Sequence, residues 1–204
     1  MITVGVDESG TGAWAGPFTV CAMALYAEDQ QQLRRLGVKD SKVLSDDRRR
    51  KLVDQIVDYA VVGFCAFAEV QDIRSHGQKE AWRRAACTSI MHVVGALPSG
   101  AEFEVVIDGN ADLTLKDQLM RAGVKPRFLV KADATIPAVS AASIVAKTMR
   151  NDRMAELSAL HPEYLWLLNA GYGTPEHQAA IEKYGKTIWH RPVKNLAGVS
   201  LRTH

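Results

Sequence analysis

Short apolar strands alternate with amphipathic helical stretches along most of the chain, and this alternation constrains the fold most strongly. The predicted strands cover residues 2–6, 18–26, 61–70, 104–107 and 126–130. The predicted helices cover residues 29–36, a stretch that begins after Ser45, and residues 79–97, 113–122, 139–160 and 175–184. Strands interleaved with helices are typical of an α/β domain. We therefore expect a central mixed sheet flanked by helices, opened by a hairpin-like strand pair.

The length of the chain and its uniform composition predict one domain. It has 204 residues, without an internal repeat, a low-complexity run or a convincing linker, and this size suits a single hydrophobic core. We assign residues 1–204 to one domain. Within it, residues from about 160 to 204 form a helical C-terminal extension, since a helix at 175–184 is followed by irregular chain.

The composition excludes a membrane protein and a disordered one. Hydrophobic residues make up 47% and charged residues 24% of the chain. The longest apolar stretch, residues 15–27, contains Gly16 and Pro17, so no run approaches the ~18 apolar residues of a membrane helix. The first residues lack a basic region that would mark a signal peptide. We expect a cytoplasmic protein with no membrane contact.

The three cysteines predict neither a zinc site nor a disulfide framework. Cys21, Cys65 and Cys87 lie far apart in apolar surroundings, without a Cys-x-x-Cys pair, so we expect buried free thiols. The net charge of +2 neither demands nor forbids a nucleic-acid partner, because binding depends on where charges cluster.

Two adjacent acids end the first apolar strand. Asp7 and Glu8 are followed by Gly10, Gly12 and Gly16, and glycines permit a ligand to approach the backbone closely. One carboxylate of such a pair is able to face a cleft, while the other reaches it where the strand ends or twists. A simple turn of acids and glycines is the alternative.

Three further aspartates suggest a metal site. Asp108 ends a strand, Asp133 follows another, and Asp152 lies late in the long helix. Carboxylates that converge on one cleft repel each other unless a cation lies among them, and their hard oxygens favour Mg²⁺ or Mn²⁺. Two such ions would clamp a phosphodiester. Taken singly, each aspartate is also consistent with a solvated turn residue.

Several polar side chains suit the backbone of a nucleic acid. Lysine, serine and glycine amides bind phosphate regardless of base, and an aromatic ring between glycines suits stacking on a sugar or base. The candidates are Lys39, Ser41, Lys42, Lys131, Lys147 and Tyr172. Exposed lysines and a core tyrosine are the alternatives, and we interpret His161, His177 and His190 as structural.

Taken in order, these motifs resemble the type 2 ribonuclease H family, which comprises ribonucleases HII and HIII. The resemblance covers nearly the whole chain. The segments that carry it are Val6–Gly12 with Ala15-Gly16-Pro17, Lys39–Leu44, Val106–Asn110, Lys131-Ala132-Asp133, Ser140–Lys147, Asn151-Asp152-Arg153, and Gly171–Thr174 with His177.

The resemblance implies a ribonuclease H-like fold and metal-dependent hydrolysis of RNA in RNA/DNA duplexes by two Mg²⁺ or Mn²⁺ ions. It implies that the catalytic, metal-binding acids are Asp7, Glu8, Asp108 and Asp133, with Asp133 preferred to Asp152. It further implies the substrate-binding residues Gly10, Thr11, Gly12, Lys39, Ser41, Lys42, Ser143, Lys147 and Tyr172.

One departure concerns specificity. Ribonuclease HII usually has Gly-Arg-Gly where this chain has Gly10-Thr11-Gly12, and threonine does not supply the bidentate phosphate contact of arginine. The variant is closer to ribonuclease HIII, yet the chain lacks room for that branch's extra N-terminal domain. A preference for longer RNA tracts over single embedded ribonucleotides is therefore an open alternative.

The expected partner is an RNA/DNA hybrid or duplex DNA that contains ribonucleotides, bound by a monomer. Residues 199–201 are too short a match to predict contact with a replication clamp. Two other functions stay open: a different two-metal nuclease of this fold class, such as a DNA exonuclease, and a non-catalytic hybrid-binding module.

Overall fold

A five-stranded mixed sheet forms the centre of the molecule, as predicted. The computed structural model describes residues 1–38 and 44–193. The strands are β1 (Ile2–Ser9), β2 (Phe18–Tyr26), β3 (Val62–Ala68), β4 (Phe103–Asp108) and β5 (Pro126–Leu129), in the order β3-β2-β1-β4-β5. β1 is antiparallel to β2 and parallel to β4, and β4 is parallel to β5. The carboxyl ends of β1, β4 and β5 therefore share one edge of the sheet.

Helices cover both faces of the sheet. They are α1 (Ala27–Arg35), α2 (Asp46–Tyr59), α3 (Val70–His76), α4 (Gln78–Gly95), α5 (Leu113–Arg121), α6 (Pro137–Leu160), α7 (Trp166–Asn169) and α8 (Pro175–Tyr184). One core lies between the sheet and α4, and a second lies between the sheet and α6. A Cβ atom at Gly5 would overlap the backbone of Ala138, so a glycine in β1 lets α6 lie directly on the sheet.

Local sequence signals explain where several helices begin. Ser45 caps α2 and accepts a hydrogen bond from the Arg48 amide at 3.3 Å, as its position before two aspartates indicates. Thr174 caps α8 in the same way, ahead of Pro175. The predicted strand over 61–70 was too long, because the chain leaves the sheet after Ala68 and enters α3, which apolar spacing alone did not reveal.

The C-terminal segment packs onto the end of α6. A third core joins Met154 and Leu157 of α6 to Tyr164, Trp166 and Ile181. Ala15, from the loop between β1 and β2, belongs to the same cluster. The helical C-terminal region is thus present, and it reaches the loop that follows Asp7 and Glu8.

Two of the cysteines lie close together. Cys21 of β2 and Cys65 of β3 are directly opposite each other in the antiparallel register, with Cα atoms 4.1 Å apart. The strand pairing brings these two distant positions together, which spacing along the sequence does not reveal. Cys87 is free and half-buried.

The helices in the described part of the chain do not have the character of membrane spans. None of them is both long enough and apolar enough to cross a bilayer.

Candidate active site

Three segments bring the four predicted acids to one edge of the sheet. Asp7 and Glu8 lie near the end of β1, and Asp108 is the last residue of β4. Val6 is paired with Ile107 in the parallel register, so Asp7 and Asp108 leave adjacent strands side by side. Asp133 lies in a 3₁₀ turn just beyond β5. The predicted convergence of acids at strand ends is therefore observed.

All four acids line one cleft of about 220 Å³. The remaining lining residues include five of the predicted substrate contacts, namely Gly10, Thr11, Ser143, Lys147 and Tyr172, together with Ser9. Ser143 and Lys147 are four residues apart on α6, so both face the cleft from one side of that helix. Gly12 lies beside the Tyr172 ring, since a Cβ atom added to this glycine would be 3.8 Å from the ring's Cε1.

The remaining predicted residues are not among the described residues that line this cleft. Lys39, Ser41 and Lys42 lie outside the described residues. Asp152 forms an ion pair with Arg50 on the surface, which supports the choice of Asp133 over Asp152 as the fourth acid. Lys131 is exposed and does not line the cleft.

The surroundings of Asp7 strongly disfavour its charged form. Burial raises its pKa from the ordinary value of 3.8 to about 8, and the neighbouring Glu8 charge contributes in the same direction. The Glu8 amide donates a hydrogen bond to Asp7 Oδ1 at 2.8 Å. This bond and a second one from the Ser143 side chain lower the pKa of Asp7 and so offset part of the rise. A carboxyl in such surroundings needs either a proton or a cation to balance its charge.

Separate hydrogen bonds hold two of the other acids. The indole Nε1 of Trp82 donates to Glu8 Oε2 at 3.2 Å, and the Ala132 amide donates to Asp108 Oδ1 at 2.6 Å. Within residues 1–38 and 44–193, no three carboxylate, imidazole or thiol side chains are close enough together to hold an ion in this arrangement. The donor set nevertheless suits a hard divalent cation, since it is made of carboxylate oxygens around a partly buried cleft.

Two buried arginines support the glycine loop after Glu8. Arg191 Nη1 donates to the carbonyls of Gly10 and Thr11 at 2.8 and 3.0 Å, and its Nε donates to Gly16 at 2.7 Å. Arg150 Nε donates to Pro17 at 3.0 Å. These carbonyls point toward the buried arginines, so the loop is held by hydrogen bonds on the face that is turned to the protein interior.

Sequence reasoning missed both arginines and Trp82. A buried arginine has no local pattern of its own, and its role follows only once the fold brings α6 and the C-terminal segment under the loop. Burial lowers the pKa of Arg191 to about 9, and the charge of Arg150 adds to this effect. The Trp82 ring packs against the core beside α4, while its N–H group reaches Glu8.

Comparisons with known proteins decide the family. A model of the ribonuclease HII family matches residues 4–196. The chain belongs to the ribonuclease HII family. A ribonuclease HII of Ralstonia nicotianae is 38% identical over 195 residues, covering 93% of this chain and 75% of the relative. That of Novosphingobium aromaticivorans is 37% identical over 198 residues and covers 94% of both chains.

Solved structures agree on the fold. Ribonuclease H2 of Pyrococcus horikoshii OT3 has a TM-score of 0.73 at 28% identity, covering 90% of this chain and 87% of that one. A ribonuclease HII bound to PCNA from Archaeoglobus fulgidus gives a TM-score of 0.80 at 24% identity, covering 100% and 98%. The chain is thus a type 2 ribonuclease H, a nuclease.

Proposed function

We propose that this protein is an endoribonuclease that cuts RNA in RNA/DNA hybrids, or ribonucleotides embedded in duplex DNA, and leaves 5′-phosphate and 3′-hydroxyl ends. One observation carries the proposal: Asp7, Glu8, Asp108 and Asp133 line a single cleft together with a glycine loop and Tyr172. Acids alone would suit many metal sites, whereas the adjoining glycines and aromatic ring suit a sugar-phosphate strand.

In this proposal the four acids are the ligands of Mg²⁺ or Mn²⁺. A bound pair of such cations supplies polarised water for attack and offsets the charge on the departing 3′ oxygen. Asp7 has to lose its proton to act as a ligand, and its pKa of about 8 without metal makes this deprotonation unfavourable at neutral pH. Ser143 supports the ionised form through its hydrogen bond.

Substrate recognition is assigned to the walls of the cleft. The backbone from Gly10 to Gly12 reads the 2′-hydroxyl, which is the group that distinguishes RNA from DNA. Lys147 contacts a phosphate as a point charge, and Tyr172 stacks on the sugar beside the scissile bond. Thr11 lines the cleft where the family usually has arginine, so the balance between junctions and long RNA tracts is the open part of the proposal.

Three labelled duplexes test the proposal with Mg²⁺ or Mn²⁺: DNA with one ribonucleotide, a long RNA tract opposite DNA, and DNA alone. We expect cleavage of at least one of the first two and none of the third. Cleavage of the all-DNA duplex would favour a DNA exonuclease, and binding without any cleavage would favour a non-catalytic module. The ratio between the first two substrates measures the effect of Thr11.

Contact with a replication clamp is not part of this proposal. The Archaeoglobus fulgidus relative was solved as a complex with PCNA, but residues 199–201 of this chain lie outside the described residues.

A further inference from the structure

A pair of buried histidines lies behind the candidate active site without lining it. His177 of α8 and His190 are 0% and 1% exposed, and their Nε2 atoms are 3.2 Å apart. Burial lowers the pKa of both imidazoles, and that of His190 falls to about 3. Both rings are therefore neutral, so each carries a single N–H group.

The hydrogen bonds around the pair determine where each proton lies. The Thr187 amide donates to His190 Nδ1 at 2.9 Å, so His190 carries its proton on Nε2 and donates it to His177 Nε2. That acceptor also receives the Trp166 indole N–H at 3.0 Å. His177 therefore carries its proton on Nδ1.

The Nδ1 proton of His177 is directed at the active-site wall. His177 Nδ1 lies 2.9 Å from the carbonyl oxygen of Tyr172, which also accepts from the Thr174 amide at 2.8 Å. The Tyr172 amide in turn donates to Asn169 at 2.9 Å. The Tyr172 ring itself is 42% exposed and lines the cleft, so its orientation depends on this anchored backbone.

We propose that His177, fixed in its Nδ1–H tautomer by His190 and Trp166, is a positioning residue that holds Tyr172 in place to stack on the substrate. The inference rests on the proposed function, in which Tyr172 contacts the sugar beside the scissile bond. It assigns to the buried histidines a task in substrate binding and none in proton transfer, since neither lines the cleft.

Two substitutions at His177 distinguish the hydrogen bond made by its Nδ1 from those made by its Nε2. In His177→Asn, the side-chain amide replaces Nδ1 and keeps a donor for the Tyr172 carbonyl. In His177→Gln, the amide reaches the Nε2 position and keeps an acceptor for Trp166 but loses the bond to Tyr172. We expect His177→Gln to raise KM about fivefold with little change in kcat, as for the loss of one hydrogen bond. His177→Asn should stay within about twofold of the wild type.

A double-mutant cycle with Tyr172→Ala tests whether the effect passes through Tyr172. The KM penalty of His177→Gln should vanish in the Tyr172→Ala background, because the ring to be positioned is absent. Penalties that multiply in the double variant, or equal effects of His177→Gln and His177→Asn, would overturn the proposal, since both indicate general destabilisation.

NMR of the unmodified protein provides a test that needs neither variant nor activity. The ¹⁵N shifts of the imidazoles should show protonated Nδ1 in His177 and protonated Nε2 in His190, and the reverse tautomers would overturn the proposal. Failure of the proposed function is distinguishable, because wild-type protein would then cleave neither ribonucleotide-containing duplex. Failure of the positioning role would leave that cleavage intact and unaffected by His177→Gln.

Discussion

At the scale of single residues, Asp7 lies in surroundings that penalise its charged form. Its burial and the adjacent Glu8 charge raise its pKa. The hydrogen bonds that it accepts lower the pKa, but by less than burial raises it. A buried carboxyl with a raised pKa and a specific charged neighbour is typical of a functional site. The cost of burying it is offset only when a cation or a proton is present.

Replacement of Asp7 by asparagine should abolish cleavage while hybrid binding is retained. Asparagine keeps the shape but removes the charge that holds a divalent ion, so we expect a loss of about a hundredfold or more in kcat. Duplex affinity, measured by fluorescence anisotropy, should change little. Asp152→Asn is the matched control, since Asp152 is paired with Arg50 on the surface. Full activity of Asp7→Asn would exclude Asp7 as a metal ligand.

The raised pKa of Asp7 also predicts how the stability of the metal-free protein depends on pH. Its pKa is 3.8 ordinarily and about 8 in the folded protein, so the folded state binds an extra proton between these values. The free energy of unfolding should therefore fall as pH rises through this window. Asp7→Asn removes the effect, and its Tm in EDTA should exceed that of the wild type at pH 9 by more than at pH 4. Parallel Tm curves would contradict the assignment.

Thr11 tests the substrate preference. Arginine at this position supplies the charged, bidentate phosphate contact that threonine lacks. We expect Thr11→Arg to raise activity on a single embedded ribonucleotide relative to a long RNA tract by about fivefold, measured as a ratio of kcat/KM values. An unchanged ratio would remove Thr11 as the cause of any altered preference.

At the scale of elements, the strand ends and helix caps were the predictable part of the molecule. The β2 and α8 boundaries agree with the sequence pattern, and Ser45 caps α2 as expected. Asp108 was predicted at a strand end because a turn signal follows it, and β4 does end there. The short α3 was missed, since seven residues carry too little periodicity to distinguish a helix from the end of a strand.

The interior supports of the glycine loop were not predictable from local sequence. Arg150 and Arg191 lie far from Gly10 along the chain, and only the packing of α6 and of the C-terminal segment brings them under it. Polar groups buried in this way depend on contacts between distant segments, whereas turn and cap signals depend on neighbours. The positions of the acids were predictable because each lies near the end of a strand or just beyond one, whereas the arginines beneath the glycine loop were not.

Gly10 links the loop to Arg150 and gives a prediction at this scale. It has φ +90°, and a Cβ atom there would overlap the Arg150 side chain. Gly10→Ala should lower the free energy of unfolding by about 2–4 kcal/mol, since it adds backbone strain and displaces a buried arginine. Gly123→Ala is the matched control, with φ +79° and nothing within 4 Å of its Cβ position. Equal losses in urea unfolding would show that Arg150 contributes nothing.

At the scale of the whole molecule, the candidate active site is shared between the sheet and the C-terminal segment. The sheet edge and the adjoining turn supply the four acids, α6 supplies Ser143 and Lys147, and the segment beyond α6 supplies Tyr172. Arg191 holds the glycine loop, and the third core fixes the segment against α6. Substrate recognition and metal binding are thus assigned to parts of the chain that pack against each other, which favours one domain over a catalytic body with a separate appendage.

A chain truncated after Leu160 tests that view. The truncation removes Tyr172 and Arg191 and exposes the faces of Ala15, Met154 and Leu157 that the third core now covers. Loss of several buried apolar side chains costs about 2 kcal/mol each or more, a large share of a typical domain's ~5–15 kcal/mol. We therefore expect the truncated chain to lose its cooperative thermal transition by circular dichroism and its cleavage of hybrids. A truncated protein that melts cooperatively and still cleaves would show that residues 161–204 form a dispensable extension, and Tyr172 would then lose its assigned role.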